Sequence, residues 1–312
     1  MRILVAGASG AIGRQLLPLL DAVGHEAIAL VHRTPVEVGR GHVVVADALD
    51  RAALSLAVSE FEPEAVVNLL TAIPRELNPR HLKRDFAITN RLRTEGTANL
   101  VVATGGVRMI SEAVAFAYAP DGAALADESR RLWLDGPKPF RPAVQALAEL
   151  ERITAETGGL VLRFGNLVGP GTGLAPDGAI TRQVRAGRLP IVGDGSGMFS
   201  FIHTHDAATA IVAALDRADV LGALNIVDDE PLPTRVWLPE FARLLRAPIP
   251  KRIPVWVARL AAGSFGVAFL NGLTGAANAR ARSELDWRPR YARVHQAWEA
   301  DFELPVAPSV SV

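Results

Sequence analysis

The chain has 312 residues, of which 49% are hydrophobic and 21% are charged, so it can bury a large core and is not a disordered protein. Its 33 basic residues balance 33 acidic ones, which argues against a nucleic-acid partner, since such proteins present excess positive charge to phosphates. Cysteine is absent, which excludes disulfides, thiol nucleophiles and cysteine-ligated zinc. We therefore expect a cytoplasmic protein without a metal site.

The first 165 residues alternate short apolar runs with longer helical patterns. Strands are predicted over residues 3–6, 27–31, 43–46, 65–69, 109–117 and 160–164. Helices are predicted over residues 13–22, 51–59, 82–103 and 144–156. Apolar strands without alternation are typical of a parallel sheet that is covered on both faces. The pattern predicts an α/β fold with a doubly wound parallel sheet, a Rossmann domain over residues 1–165.

Glycine and proline interrupt the chain after residue 165. A smaller, mixed substrate-binding domain is predicted over residues 166–199 and 229–312, while residues 200–228 rejoin the sheet domain with a helix and a strand. The apolar segment 254–270 has almost the length of a membrane span. It begins with a proline and contains Arg259 and glycines, so we expect a buried helix and no membrane contact.

Three glycines follow the first strand at the start of the first helical pattern, spaced as Gly-x-x-Gly-x-x-Gly. The first permits a tight turn, the second lets the backbone approach a pyrophosphate, and the third lets helix and strand pack closely. A phosphate then lies at the positive end of the helix. The sequence therefore predicts a dinucleotide site, whose loop residues are Gly7, Ser9, Gly10, Ala11, Ile12 and Gly13.

Arg33 stands at the end of the second strand, where NAD-binding proteins place a carboxylate on the adenosine ribose. A guanidinium can bind a 2′-phosphate that a carboxylate would repel. Arg33 therefore favours NADP(H), with NAD(H) as the alternative cofactor, unless Arg33 is only a solvated charge at a strand end.

Further cofactor contacts are expected where the third and fourth strands end. The Asp47 carboxylate can accept from the adenine amino group, or it can cap the helix that follows. The residues expected to line the cofactor at these two strand ends are Asp47, Ala48, Leu70, Thr71 and Ala72.

These motifs resemble the extended short-chain dehydrogenase/reductase family, of the NAD(P)-dependent epimerase/dehydratase type. The resemblance covers roughly residues 1–300 and rests on the glycine loop, Asp47 and the segments EGTANL (95–100), LRFGNLVGP (162–170), FIHTHDA (201–207) and ELDWRP (284–289). It implies a small-molecule substrate in a cleft at the carboxyl edge of the sheet. It also implies cofactor contacts from Phe164 and Asn166, and it favours a homodimer.

The catalytic residues that this family implies are replaced, which makes the chain an atypical member. The family pairs a tyrosine with a lysine four residues later, helped by a strand hydroxyl and a helix asparagine. The chain has 2 tyrosines and no Tyr-x-x-x-Lys motif. Phe140 and Val144 occupy the expected tyrosine and lysine positions, Ala113 or Val114 the hydroxyl position, and Arg93 the asparagine position.

Tyr118 and Arg93 are the remaining catalytic candidates. The phenol of Tyr118, at the carboxyl end of the fifth strand, could donate a proton. Without a neighbouring cation its pKa is expected to stay at about 10. The structural alternative is a half-buried tyrosine that closes the sheet edge. Arg93 could stabilise an oxyanion or carboxylate. His203 and His205 lack a third metal ligand, so structural roles are expected for them.

Three functions are compatible with these residues. The first is an NADP-dependent oxidoreductase that acts on a small carbonyl or hydroxyl substrate with a non-standard proton donor. The second is a redox-neutral isomerase, cyclase or lyase on the same fold, and the third is an NAD(P)-binding sensor or scaffold without turnover. The intact glycine loop favours the first function, whereas the replaced catalytic residues favour the other two.

Overall fold

A seven-stranded sheet forms the larger part of the computed structural model, which describes residues 1–74, 76–78, 80–122 and 125–302. With strands numbered along the chain, this sheet contains β1 (Arg2–Ala6), β2 (Glu26–Val31), β3 (Gly41–Val45), β4 (Ala65–Asn68), β5 (Met109–Val114), β6 (Leu160–Phe164) and β11 (Gly222–Ile226). All neighbours pair in parallel, in the order β11-β6-β5-β4-β1-β2-β3. The order reverses at β1, so the crevice at its carboxyl end is the expected ligand site.

Helices cover both faces of this sheet, which confirms the predicted fold class. They are α1 (Ala11–Ala22), α2 (Arg51–Val58), α3 (Leu82–Asp85), α4 (Ala87–Arg91), α5 (Thr97–Ala103), α6 (Arg141–Glu156) and α8 (Thr204–Leu215), with a π-helical turn (Leu92–Gly96) between α4 and α5. The apolar strands are predicted well because both faces are buried; Ile3, Leu4 and Val5 are fully buried. The fifth strand ends at Val114 rather than at residue 117.

The smaller part is mixed. It contains the short strands β7 (Asn166–Val168), β8 (Ile191–Val192), β9 (Met198–Phe199), β10 (Phe201–His203), β12 (Leu232–Pro233) and β13 (Arg252–Ile253). Its helices are α7 (Ala179–Arg185), α9 (Thr234–Leu244), α10 (Val255–Gly272), α11 (Ala279–Glu284) and α12 (Val294–Asp301). Aromatic residues, including Phe201, Phe241 and Trp298, form its core. The division into domains stays a prediction, and residues 303–312 at its end lie outside the described residues.

Helix α10 is only partly buried, so the prediction of a buried helix is wrong for its first half. A kink at Gly263, where φ is +70°, divides the helix. Trp256 and Leu260, before the kink, are 68% and 70% exposed, whereas Phe265 and Phe269 behind it pack inward. A helix that is apolar all round gives no sequence signal for the face that packs. Within the described part of the chain, no helix is long and apolar enough to cross a membrane.

Candidate cofactor and substrate site

The loop between β1 and α1 leaves room for a phosphate. A Cβ on Gly7 would lie 2.6 Å from the carbonyl oxygen of Leu69, and φ is +88° at this glycine. A Cβ on Gly13 would lie 2.5 Å from the carbonyl oxygen of Ala8. Gly10 begins α1 without any side-chain cap among the described residues. The amides of the first helical turn therefore stay open, which fits a pyrophosphate.

The next cofactor candidates, Arg33 and Asp47, lie at the ends of β2 and β3. Arg33 is exposed, and no described residue pairs with its guanidinium. Asp47 accepts from the Leu49 amide at 2.9 Å, and its other carboxylate oxygen lies 4.0 Å from Nε2 of His32. Asp50, not Asp47, caps α2, so the capping alternative for Asp47 is wrong. Asp47 keeps one oxygen available to a ligand.

The segment after β4 follows the same carboxyl edge. The Leu70 amide donates to the side-chain oxygen of Asn68 at 3.2 Å, and the Ala72 amide donates to the Thr89 hydroxyl at 3.0 Å. Thr71, between them, is exposed. These bonds hold residues 70–72 along the edge where the cofactor is expected.

The two cofactor residues implied by the family motif after β6 differ in their surroundings. The Phe164 side chain is 2% exposed and belongs to the sheet core, away from the cleft. Asn166 borders the cleft, where its side-chain nitrogen donates to the Ser200 carbonyl at 3.1 Å. Of Phe164 and Asn166, it is therefore Asn166 whose side chain can contact a ligand.

An apolar cluster fills the place of the family's tyrosine–lysine pair. Phe140 and Val144, at the start of α6, are buried and pack against Ala113 and Val114 of β5. Phe265 of α10 lies against Phe140, with 4.9 Å between ring centroids. None of these side chains can transfer a proton.

Aromatic rings continue from this cluster along the cleft. Phe269 of α10 lies 5.6 Å from Phe116 and 5.5 Å from Phe199, measured between ring centroids. The adjoining pocket is lined mainly by Ala115, Phe116, Tyr118, Asn166, Met198 and Thr274. Two aromatic side chains, those of Phe116 and Tyr118, therefore line this pocket. Sequence reasoning missed Phe265 and Phe269, although their spacing of four on one helix was a signal.

Tyr118 borders this pocket, but its hydroxyl already has two partners. The hydroxyl donates to Oδ1 of Asn225 at 2.6 Å and accepts from Nη1 of Arg163 at 2.8 Å. Burial raises the pKa of the Tyr118 phenol, and the Arg163 guanidinium opposes this rise. The expectation of no neighbouring cation is therefore wrong, because β5 and β6 pair side by side and bring Arg163 close. The catalytic role of Tyr118 stays a prediction.

Arg93 lies in the π-helical turn and is 3% exposed. Thr89 and Thr97, about one turn before and after it, bond to the Ala72 amide and to the Asn68 side chain. This helix face therefore lies against the carboxyl edge beside β4. Burial lowers the pKa of the Arg93 guanidinium, and the Glu112 carboxylate opposes that shift. The catalytic role of Arg93 stays a prediction.

Glu112 of β5 is a charged residue that sequence reasoning missed. Asn68 of β4 pairs with Ala6 of β1 and with Ser111 of β5. Glu112 therefore lies one residue beyond that level, toward the carboxyl edge. Burial raises the pKa of Glu112 to about 7, and Arg93 acts in the opposite direction. A carboxylate within an otherwise apolar parallel strand was the available signal.

The two histidines after β10 make structural contacts. The Nδ1 atom of His203 accepts from the His205 amide at 3.1 Å and caps α8. The Nε2 atom of His203 lies 3.2 Å from Oδ1 of Asp301. The described residues hold no group of three His, Asp or Glu side chains placed to bind a metal ion.

Comparisons with known proteins extend this description. The model of the NAD dependent epimerase/dehydratase family matches residues 3–227. A 3-diazoavenalumate denitrifying reductase from a Streptomyces species is 46% identical over 308 residues, which cover 96% of this chain and 98% of that protein. The epimerase family protein SDR39U1 of Homo sapiens is 30% identical over 271 residues, which cover 81% of this chain and 82% of that protein.

Two solved structures share the fold. The human SDR39U1 structure with NADPH has a TM-score of 0.73 at 22% identity, and the match covers 98% of this chain and 100% of that one. The structure of UDP-glucose 4-epimerase from Thermotoga maritima with UDP-glucose has a TM-score of 0.75 at 18% identity, and the match covers 97% of this chain and 98% of that one.

Proposed function

Since the chain belongs to the NAD dependent epimerase/dehydratase family, we propose that it is an NADPH-dependent reductase that replaces the diazo group of an aromatic substrate by hydrogen. The resemblance predicted from its motifs is confirmed. Its relatives are named as reductases and epimerases, so the chain is an NAD(P)-dependent enzyme of oxidoreductase or epimerase type. The 46% identical protein is named for denitrifying a diazo compound, which supports the same substrate class here.

The observation that carries this proposal is the apolar cluster at the family's acid–base position. Phe140 and Val144 have no proton to give to the oxygen of a reduced carbonyl. When bound, NADPH supplies a hydride, and the balance ArN₂⁺ + NADPH → ArH + N₂ + NADP⁺ requires no proton. A hydride acceptor that loses N₂ therefore suits a site without the family's donor.

The residues that would hold NADPH follow from the geometry of the loop and the strand ends. The open amides at Ala11 and Ile12 would receive the pyrophosphate. The unpaired Arg33 guanidinium would bind the 2′-phosphate, which supports NADPH over NADH. The free oxygen of Asp47 would accept from the adenine amino group. A cysteine-free chain that uses NADPH fits a cytoplasmic location.

The aromatic side chains of the cleft would hold the substrate ring. Phe116 lines the pocket together with Met198, and Phe269 packs edge-on against Phe116. Aromatic contacts of this kind would stabilise a flat ligand. The same apolar surface excludes water, which would otherwise convert an arenediazonium ion into a phenol. The proposed substrate is therefore a diazo compound and not the carbonyl compound expected from the sequence.

The test combines purified protein with NADPH and a benzenediazonium carboxylate. We expect NADPH oxidation, followed by absorbance, to match N₂ release, followed by mass spectrometry, one to one above a blank without enzyme. N₂ release without NADPH oxidation would instead identify a redox-neutral lyase. NADPH binding with neither signal would identify a sensor or scaffold. Either result would contradict the proposed reductase.

A further inference from the structure

Two charged side chains at the carboxyl edge have no partner that neutralises them. Arg93 is 3% exposed, and its Nε atom makes no hydrogen bond with any described residue. The Glu112 carboxylate makes no hydrogen bond or close ion pair within the described chain, where Arg93 is the charged group that acts on it. Buried charges cost free energy unless they are paired. A ligand with complementary charge would offset this cost for both groups.

A buried ion pair elsewhere in the chain shows an arrangement in which both charges are neutralised within the protein. Arg163 donates to both carboxylate oxygens of Glu151, at 2.8 and 2.7 Å. Such a fork satisfies both charges without a ligand. Among the described residues Arg93 and Glu112 form no such fork, and each opposes the pKa shift that burial causes in the other.

The location of the two groups also points to a ligand. Arg93 lies on the helix face that contacts the end of β4, and Glu112 lies on β5 just beyond the level of that end. Glu112 also lies two residues before Val114 on β5, and Val114 packs in the apolar cluster at the family's acid–base position. The π-helical turn that carries Arg93 is a feature that often marks functional sites.

The complementary ligand carries a positive and a negative charge on neighbouring atoms. A diazo group has this character, because its nitrogen end is positive while conjugation places negative charge on carbon or on a neighbouring oxygen. The reduced nicotinamide ring is uncharged and would leave both side chains unsatisfied. Building on the proposed function, we infer that Arg93 and Glu112 bind this dipole, with the carboxylate facing the nitrogen end and the guanidinium facing the negative charge.

The test compares binding of two probes to the protein without nicotinamide cofactor, so that neither a hydride nor a pyridinium cation is available. One probe is 2-diazoniophenolate. The other is its isostere 2-cyanophenolate, in which an uncharged C≡N group replaces the positive N≡N⁺ group. Wild-type protein should bind the diazo probe at least about tenfold more tightly. Glu112→Gln should remove most of this preference, while Arg93→Gln should weaken the binding of both probes about tenfold or more.

The matched control is Glu95→Gln, on the same helical turn as Arg93. Glu95 is exposed and pairs with Arg91 at 2.7 Å, so its neutralisation should leave the preference unchanged. NADPH affinity and the thermal midpoint, measured for every variant, separate a lost charge from a misfolded protein. A diazo preference that persists in Glu112→Gln would overturn the inference, as would its absence from the wild type.

The pH dependence of probe binding by the wild-type protein tests the same inference without a substitution. Because the pKa of Glu112 is raised to about 7, the carboxylate ionises as the pH rises through that value. The affinity for the diazo probe, which stays zwitterionic over this range, should therefore grow between pH 6 and pH 8, by about tenfold at most. An affinity that does not change with pH would contradict the inference. If the preference is present but N₂ is never released, only the proposed function fails.

Discussion

Arg33 is the single side chain on which the proposed choice of NADPH depends. Its exposed guanidinium has no partner among the described residues, so a 2′-phosphate can bind it without first breaking an ion pair. Arg33→Ala should weaken NADPH binding by about tenfold or more and leave NADH binding unchanged. Fluorescence titration with both cofactors measures this. Arg188→Ala, an exposed arginine of the smaller part, is the control, and equal loss for both cofactors would contradict the assignment.

The Tyr118 hydroxyl is already hydrogen-bonded within the protein, so we expect it to contribute to stability rather than to turnover. Tyr118→Phe removes the hydrogen bonds to Asn225 and Arg163 and should lower the free energy of unfolding by about 1–3 kcal/mol. Turnover of the diazo substrate should stay near the wild-type rate. The control is Tyr291→Phe, because the Tyr291 hydroxyl makes no hydrogen bond within the described residues. A loss of turnover of about a hundredfold would show that Tyr118 donates a proton.

The residues that sequence reasoning found and missed differ in a physical way. The glycine loop and Arg33 depend on local spacing after a strand, which the sequence displays directly. The contact between Tyr118 and Arg163 arises from the pairing of β5 with β6, and these residues are far apart in the chain. The relation between Glu112 and Arg93 also arises from the fold, because Glu112 lies on β5 and Arg93 lies in the π-helical turn between α4 and α5.

Helix α1 shows how an element depends on one glycine. Gly13 lies so close to the Ala8 backbone that a Cβ would be 2.5 Å from its carbonyl oxygen, and the helix would have to move. Gly13→Ala should therefore lower NADPH affinity by about tenfold or more and cost about 1–3 kcal/mol of stability. Gly272→Ala, where a Cβ meets nothing within 4 Å, is the control. Unchanged NADPH affinity in Gly13→Ala would contradict the placement of the cofactor.

Strands and helices were predictable to different degrees. Leu160–Phe164 is observed as predicted, because a buried parallel strand reads as a continuous apolar run. Helix α6 begins at Arg141, three residues before the prediction, since Pro142 is tolerated in the first helical turn. The exposed first half of α10 could not be predicted, because its uniform apolar sequence does not distinguish a packed face from an open one.

At the scale of the whole molecule, the two parts divide the work. The phosphate loop, Arg93 and Glu112 belong to the sheet part, whereas Phe199 and Phe269 belong to the smaller part and pack against each other. Contacts also join the segment after β4 to the smaller part. Glu76 pairs with Arg182 at 2.9 Å, and Arg80 donates to the carbonyl oxygen of Leu260 at 2.6 Å.

In the proposed reaction, hydride transfer proceeds without a proton from the protein. The solvent deuterium isotope effect on NADPH oxidation in a single turnover with the diazo substrate tests this most directly. Since no proton moves in the hydride-transfer step, we predict an effect of about 1, while deuterium at the transferring position of NADPH should slow the same step. A normal solvent effect of about twofold or more would place a proton transfer in that step and contradict the account.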